Sequence, residues 1–434
     1  MSDCRLGYIE LLQQEINKNP DRLCGGQEEE PDEALAPPPC SSLPSLCSIP
    51  RTLAVSPSLG GEPLTQDLSV NLRKILFGGT FHVFNYEWRK SCFKFREPNS
   101  ELAYALETER AGARAVQMVV QARIIKFLLF SRQSGSEGRT LQSLCDVGQR
   151  DQERALAAAL TDSLWLAGEE RSATVTLVTA DYCITPHLDY KLDDFTERLQ
   201  LFTFNNKEDV RKFIYEHIQC FKEEGSHGVI LFLYSLICSR TVNRLREDLD
   251  CSTSHLLQVR LGNFVCRQAL LNLLLTGRAS PNVFNGTVQC GADGRPLERP
   301  LQGVLARSDV GYLHWSREQM ERDRLPQVGS MLKTPRFPIW LCSINSSCSV
   351  LFGPTRSLLS DWKMEHLFQL FFYNGQPTQK ATARLTIDTH SHHWEASSSH
   401  SAGDPEKRFP SVEMTIRTKW DGAAIDWNGC SPFY

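Results

Sequence analysis

Four histidines, His390, His392, His393 and His400, fall in one polar stretch, where closely spaced imidazoles could share a metal ion. No cysteine lies among them and no carboxylate stands at a ligand spacing, so the stretch reads as an exposed loop with no metal site. Gly225-Ser226-His227-Gly228, ahead of an apolar run, resembles an anion-binding loop, but it lacks the Lys-Ser/Thr of a phosphate loop and reads as a flexible turn. Residues 343–349, SINSSCS, set small hydroxyls beside the Cys348 thiol; as a nucleophile loop they would need a base, and their own β segment holds no His. A thiol hydrolase places its Cys at the N-terminus of a buried helix, where the helix dipole favours a thiolate, and faces it with a His on a strand. The best buried-helix candidate starts near Gly112-Ala113-Arg114-Ala115, where there is no Cys.

The elements that would position such groups are legible along the chain. Residues 115–130, AVQMVVQARIIKFLLF, are apolar on nearly every face, the pattern of a helix buried inside a domain. Further helices are expected over 152–167, 207–222, 229–249 and 264–275, the last closed by Gly277, with a β-run at 173–179. The C-terminal third changes to short β-branched or aromatic runs at 338–343, 349–352, 367–372, 383–389 and 412–418. Asn374-Gly375 is a hairpin signal, and 390–411 reads as a flexible insertion. The expected class is α+β, with a buried helix facing an antiparallel sheet, a layout that permits a papain-like cysteine-hydrolase fold.

Composition narrows the partners. The 434 residues carry 47 Lys and Arg against 51 Asp and Glu, a net charge of -4 that advertises neither nucleic acid nor an anionic membrane. The most apolar run, 228–238, is about half the length needed to cross a bilayer. Fifteen cysteines with no C-x-x-C argue against zinc ribbons and redox pairs and for reduced thiols in a cytoplasmic chain. Residues 26–66 are rich in proline and serine and read as a disordered linker, with a short amphipathic stretch at 8–17 before it. The expected division is therefore 1–71, mostly disordered, and 72–434, one catalytic-like domain.

Eight collinear blocks then carry a resemblance. LFGGTFHVFNYEW (76–88), VVQARIIKFLLF (119–130), GVILFLYSLICSRT (228–241), LLNLLLTGRASPNVFN (270–285), ARSDVGYL (306–313), LKTPRFPIWLCS (332–343), RLTIDT (384–389) and IRTKWDGAAIDWNG (416–429) look like the MINDY deubiquitinases. The resemblance is to the branch of the third and fourth members, and within it to an inactive type. Active members are papain-like thiol hydrolases that cleave polyubiquitin of the lysine linkage that signals proteasomal degradation, without a cofactor.

The resemblance also implies where the site lies. Aligning Gln121 and the 127–130 run puts Arg114 in place of the nucleophilic Cys and Thr108 in place of the oxyanion-stabilising Gln, with Ala113 where a Pro precedes the nucleophile. Ser347 falls where the His base belongs, after a strand holding Trp340 and Cys342. A guanidinium stays protonated and is no nucleophile. The expectation is thus a pseudoenzyme, not an enzyme, that binds ubiquitin or lysine-linked polyubiquitin. The alternatives are a protein-interaction scaffold without ubiquitin binding and a residual thiol isopeptidase using another nucleophile such as Cys348.

Overall fold

The computed structural model describes residues 49–108, 112–130, 142–184, 190–290, 296–390 and 410–432. The longer helices are α1 (Gln66–Phe77), α2 (Arg114–Phe130), α3 (Gln149–Ala167), α4 (Lys207–Glu216), α5 (Gly228–Arg240), α6 (Val242–Asp248), α7 (Gln268–Thr276) and α8 (Ser411–Arg417). A small sheet joins β1 (Glu62–Pro63), β2 (Ala173–Val178) and β3 (Leu199–Phe204) in the order β1-β3-β2. Two hairpins follow, β4 (Leu257–Arg260) with β5 (Asn263–Cys266), and β6 (Thr287–Cys290) with β7 (Pro296–Gln302). The main sheet runs β13-β12-β11-β10-β9-β8, from β8 (Gly311–Trp315), β9 (Ile339–Ile344), β10 (Ser347–Phe352), β11 (Leu367–Tyr373), β12 (Ala383–Asp388) and β13 (Ala424–Asp426).

Alternation along these strands builds two cores. Leu341, Val350, Phe352 and Tyr373 face α2 and join the larger core, while Trp340, Cys342, Leu351 and Phe372 face the other way, toward α8. Buried on nearly every face, α2 packs on β9 and β10 and against α3 and α7. Its buried polar side chains tie down neighbouring chain. Gln121 accepts from the Leu106 amide and donates to the Tyr104 carbonyl, Gln117 donates to Cys92, and Arg123 donates to Leu274 in the last turn of α7.

The fold is mixed α and β, and several expectations need correcting. The sheet is not wholly antiparallel, because β8 pairs with β9 in parallel. The strand expected at 412–418 is helix α8: Val412 and Ile416, four apart, fill the second core, and Arg417 pairs with Glu413 across one turn. The helix expected at 264–275 begins as strand β5, and those at 207–222 and 229–249 each break in two, the latter at Thr241 with φ 68°. The linker expectation fails for its second half. Val55 donates to Val178 at 2.8 Å, β1 pairs with β3, and Ile49 and Leu64 are buried, because a few apolar anchors outweigh a proline-rich composition. The rest of that linker and the stretch at 8–17 lie outside the described residues, as does 391–409 of the expected insertion.

His227 gives the fold an acid-sensitive point. It stands before α5 with φ 54°, buried, its ring 4.8 Å from that of Phe195. Burial, helped by Arg89 and opposed by Asp193, holds its pKa down to about 4. An unfolded His titrates near ~6.5, so the stability present above that pH is lost as pH falls from there through the folded value, by about 3 kcal/mol. His227→Asn, which tolerates the left-handed backbone, is expected to narrow the difference in thermal midpoint between pH 7.5 and pH 4.5. An unchanged difference would remove His227 from the acid limb.

Candidate functional site

The mouth of α2 is assembled from four distant segments. Gly112 lies so close to the Phe264 carbonyl that an added Cβ would sit 1.7 Å from the oxygen, so only glycine lets the β4–β5 hairpin close over the helix start. Trp88 Nε1 donates to that same carbonyl at 2.9 Å, and the Cys266 thiol donates to the Gly112 carbonyl at 3.6 Å. Thr108 is buried and bonds Gly375 through both its amide (3.0 Å) and its hydroxyl (3.1 Å), at a loop where Gly375 has φ 76°.

Arg114 is the first residue of α2 and is buried. A cation at this end opposes the helix dipole, and the protein offsets it with backbone oxygen. Arg114 Nε donates to the Cys348 carbonyl at 3.1 Å and a terminal nitrogen donates to the Asn374 carbonyl. The guanidinium therefore clamps α2 to the ends of β10 and β11.

Strand register decides what else faces the mouth. His314, Ser343 and Cys348 stand abreast on β8, β9 and β10, on the face that carries Leu341 and Val350 toward α2. Ser347 is exposed, and its register partner Ile344 packs on the second core. Burial pushes the Cys348 thiol up to about 11, against the pull of the Arg114 guanidinium, so it holds its proton at neutral pH. Burial likewise raises the Cys266 thiol and lowers His314, whose Nε2 lies 2.6 Å from Gln319 Oε1 and whose Nδ1 lies 3.4 Å from the Tyr312 hydroxyl. His314 is the group that local sequence reading missed. It lies 34 positions from Cys348 and reaches the same face only through the parallel pairing of β8 with β9.

The other candidates fall elsewhere. His390 stacks on His366 with ring centroids 5.3 Å apart, at the end of β12; His392, His393 and His400 lie outside the described residues. Among the described residues no three His, Cys, Asp or Glu side chains are grouped to hold a metal. Gly228, at the start of α5, is pressed against the Phe221 carbonyl, 2.0 Å from where a Cβ would lie, so the Gly225–Gly228 turn serves packing. The described cysteines are free, and no described helix is long and apolar enough to cross a membrane.

Comparison with known proteins adds names to this geometry. A family model described as "Deubiquitinating enzyme MINDY-3/4, conserved domain" matches residues 73–429. The chain is 37% identical over 372 residues to the probable ubiquitin carboxyl-terminal hydrolase MINDY-4 of Mus musculus, covering 86% of this chain and 47% of that protein. The Homo sapiens protein of the same name is 35% identical over 387 residues, covering 89% and 48%. Ubiquitin carboxyl-terminal hydrolase MINDY-3 of Danio rerio is 28% identical over 281 residues, covering 59% and 58%. The chain spans about half the length of the MINDY-4 relatives it matches. No solved structure matches. These relatives are named as hydrolases, which overturns the expectation that the chain is not an enzyme: the names are those of enzymes, and no finding sets this chain apart as inactive.

Proposed function

Because the chain belongs to the MINDY-3/4 deubiquitinase family, we propose that it engages ubiquitin or polyubiquitin on the surface around the mouth of α2, in a papain-like arrangement of buried helix and sheet. The observation that carries this reading is the mouth itself. A helix buried on nearly every face starts at Arg114 between the hairpin β4–β5, the start of β10 and the loop after β11. Arg114 and Thr108 occupy the places of nucleophile and oxyanion donor in this reading; Ser347, the expected place of the base, alternates to the opposite face of β10 from Cys348 and turns away from the mouth. Lysine-linked polyubiquitin is the preferred partner, and the free thiols fit a cytoplasmic chain.

A calorimetric titration of the purified chain with lysine-linked polyubiquitin tests it. A saturable isotherm is expected; a flat one at concentrations where other ubiquitin-binding domains saturate would reject the reading and favour a scaffold that does not bind ubiquitin.

A second reading has its own observation, Cys348 at this mouth with His314 on the same sheet face, one strand beyond Ser343. In that reading a thiol other than one at position 114 supplies the nucleophile, and ubiquitin bearing a C-terminal electrophile should label Cys348 covalently. Labelling that persists in Cys348→Ser would exclude this thiol.

A further inference from the structure

We propose that the tip of the β4–β5 hairpin is the point where the body of ubiquitin docks, with Leu261 as its apolar anchor. The inference rests on the reading above and adds the contact surface. The register pairs Val259 with Phe264 and Arg260 with Asn263, leaving Leu261-Gly262 as a two-residue turn. Both turn residues have positive φ, 49° and 76°, the geometry for which Asn-Gly is the favoured pair. A branched leucine is disfavoured in a left-handed backbone. It is also 96% exposed, so it gains nothing from burial. Two independent costs on one side chain mark a residue whose use lies outside the folded chain itself.

Its surroundings extend the same surface. Val259 is 60% exposed, and across the hairpin Asn85 donates to Asn263 at 2.8 Å, bringing up the segment that carries exposed Phe81 and Tyr86. Exposed aromatic and aliphatic side chains are what an apolar face of a partner requires. The occupant follows from where the hairpin is fastened. Phe264 and Cys266 hold it to Trp88 and Gly112 at the start of α2, and Arg260 donates to the Ser346 hydroxyl at 2.7 Å, on the turn before β10. The tip is thus continuous with the mouth, so ubiquitin engaged at the mouth as proposed above has this hairpin beside it.

The test uses the full chain and unmodified ubiquitin chains, with Leu261→Asp and Leu261→Asn. Leu261→Asp is expected to weaken binding at least tenfold. Leu261→Asn should weaken it several-fold while raising the thermal midpoint by about 1 °C or more, since Asn-Gly relieves the turn; a purely structural leucine would not separate those two readouts. If wild type binds and both variants bind within twofold of it, the docking surface is wrong and the ubiquitin reading stands. If wild type does not bind, both fall. Sedimentation that shows the chain alone self-associating, and losing this on Leu261→Asp, would assign the tip to a second copy instead and overturn the proposal.

Discussion

Arg114→Ala is expected to destabilise the domain by about 2–4 kcal/mol, because it leaves two carbonyls at the mouth of α2 without their donor. The Cys348 carbonyl and the Asn374 carbonyl both accept from this guanidinium, and Arg114 is buried. Relief of the unfavourable charge at a helix N-terminus would return roughly 0.3–1 kcal/mol, which is too little to cancel the loss. Arg114→Lys tests geometry against charge. A lysine keeps the cation but cannot present the planar fork that spans two oxygens, so it should recover less than half of the loss. Thermal or denaturant unfolding checks both variants. An alanine variant as stable as wild type would show that the guanidinium does not hold the mouth together.

Removing residues 1–66 is expected to cost roughly 5 kcal/mol, from the burial of two aliphatic side chains and one helix cap. Ile49 and Leu64 are buried in the main core, and the Thr65 hydroxyl accepts from the Leu68 amide at 3.3 Å to cap α1. The deletion also strips β1 from β3 and turns β3 into an open edge, which invites association between unfolded or partly folded chains. A loss of that size is a large share of ordinary domain stability. Leu64→Ala should reproduce about half of it without altering chain length. Thermal midpoints within a degree of wild type for both variants would return this segment to the status of a linker.

Much of this architecture was legible because local pattern and tertiary role agree. The all-round apolar run of α2 can only be buried, and β9 to β12 alternate or pair as β-branched and aromatic runs should. Where reading failed, a distant partner decided. Val412, Thr415, Ile416 and Thr418 suggest a strand by residue type, yet the four-residue spacing of Val412 and Ile416 fits the second core as helix α8. Only Arg267 and Gln268 separate Phe264, Val265 and Cys266 from the apolar run of α7, so the stretch reads as one helix, but the three pair with 257–259 to form the hairpin over Gly112. The start of α2 at Arg114 was readable from the sequence, whereas its carbonyl partners come from positions 348 and 374 and were not. His314 escaped for the same reason: a parallel strand pairing leaves no local signal.

Hydrogen exchange of the chain with and without saturating ubiquitin reports binding and its place on the fold together. Ubiquitin is expected to slow exchange in peptides covering Thr108, Gly112 to Val116, the β4–β5 hairpin and Ser346 to Cys348, with the outer strands β12 and β13 unchanged. Binding that leaves the mouth of α2 and the hairpin at their free exchange rates, or protection confined to the far side of the sheet around α8, would contradict this placement.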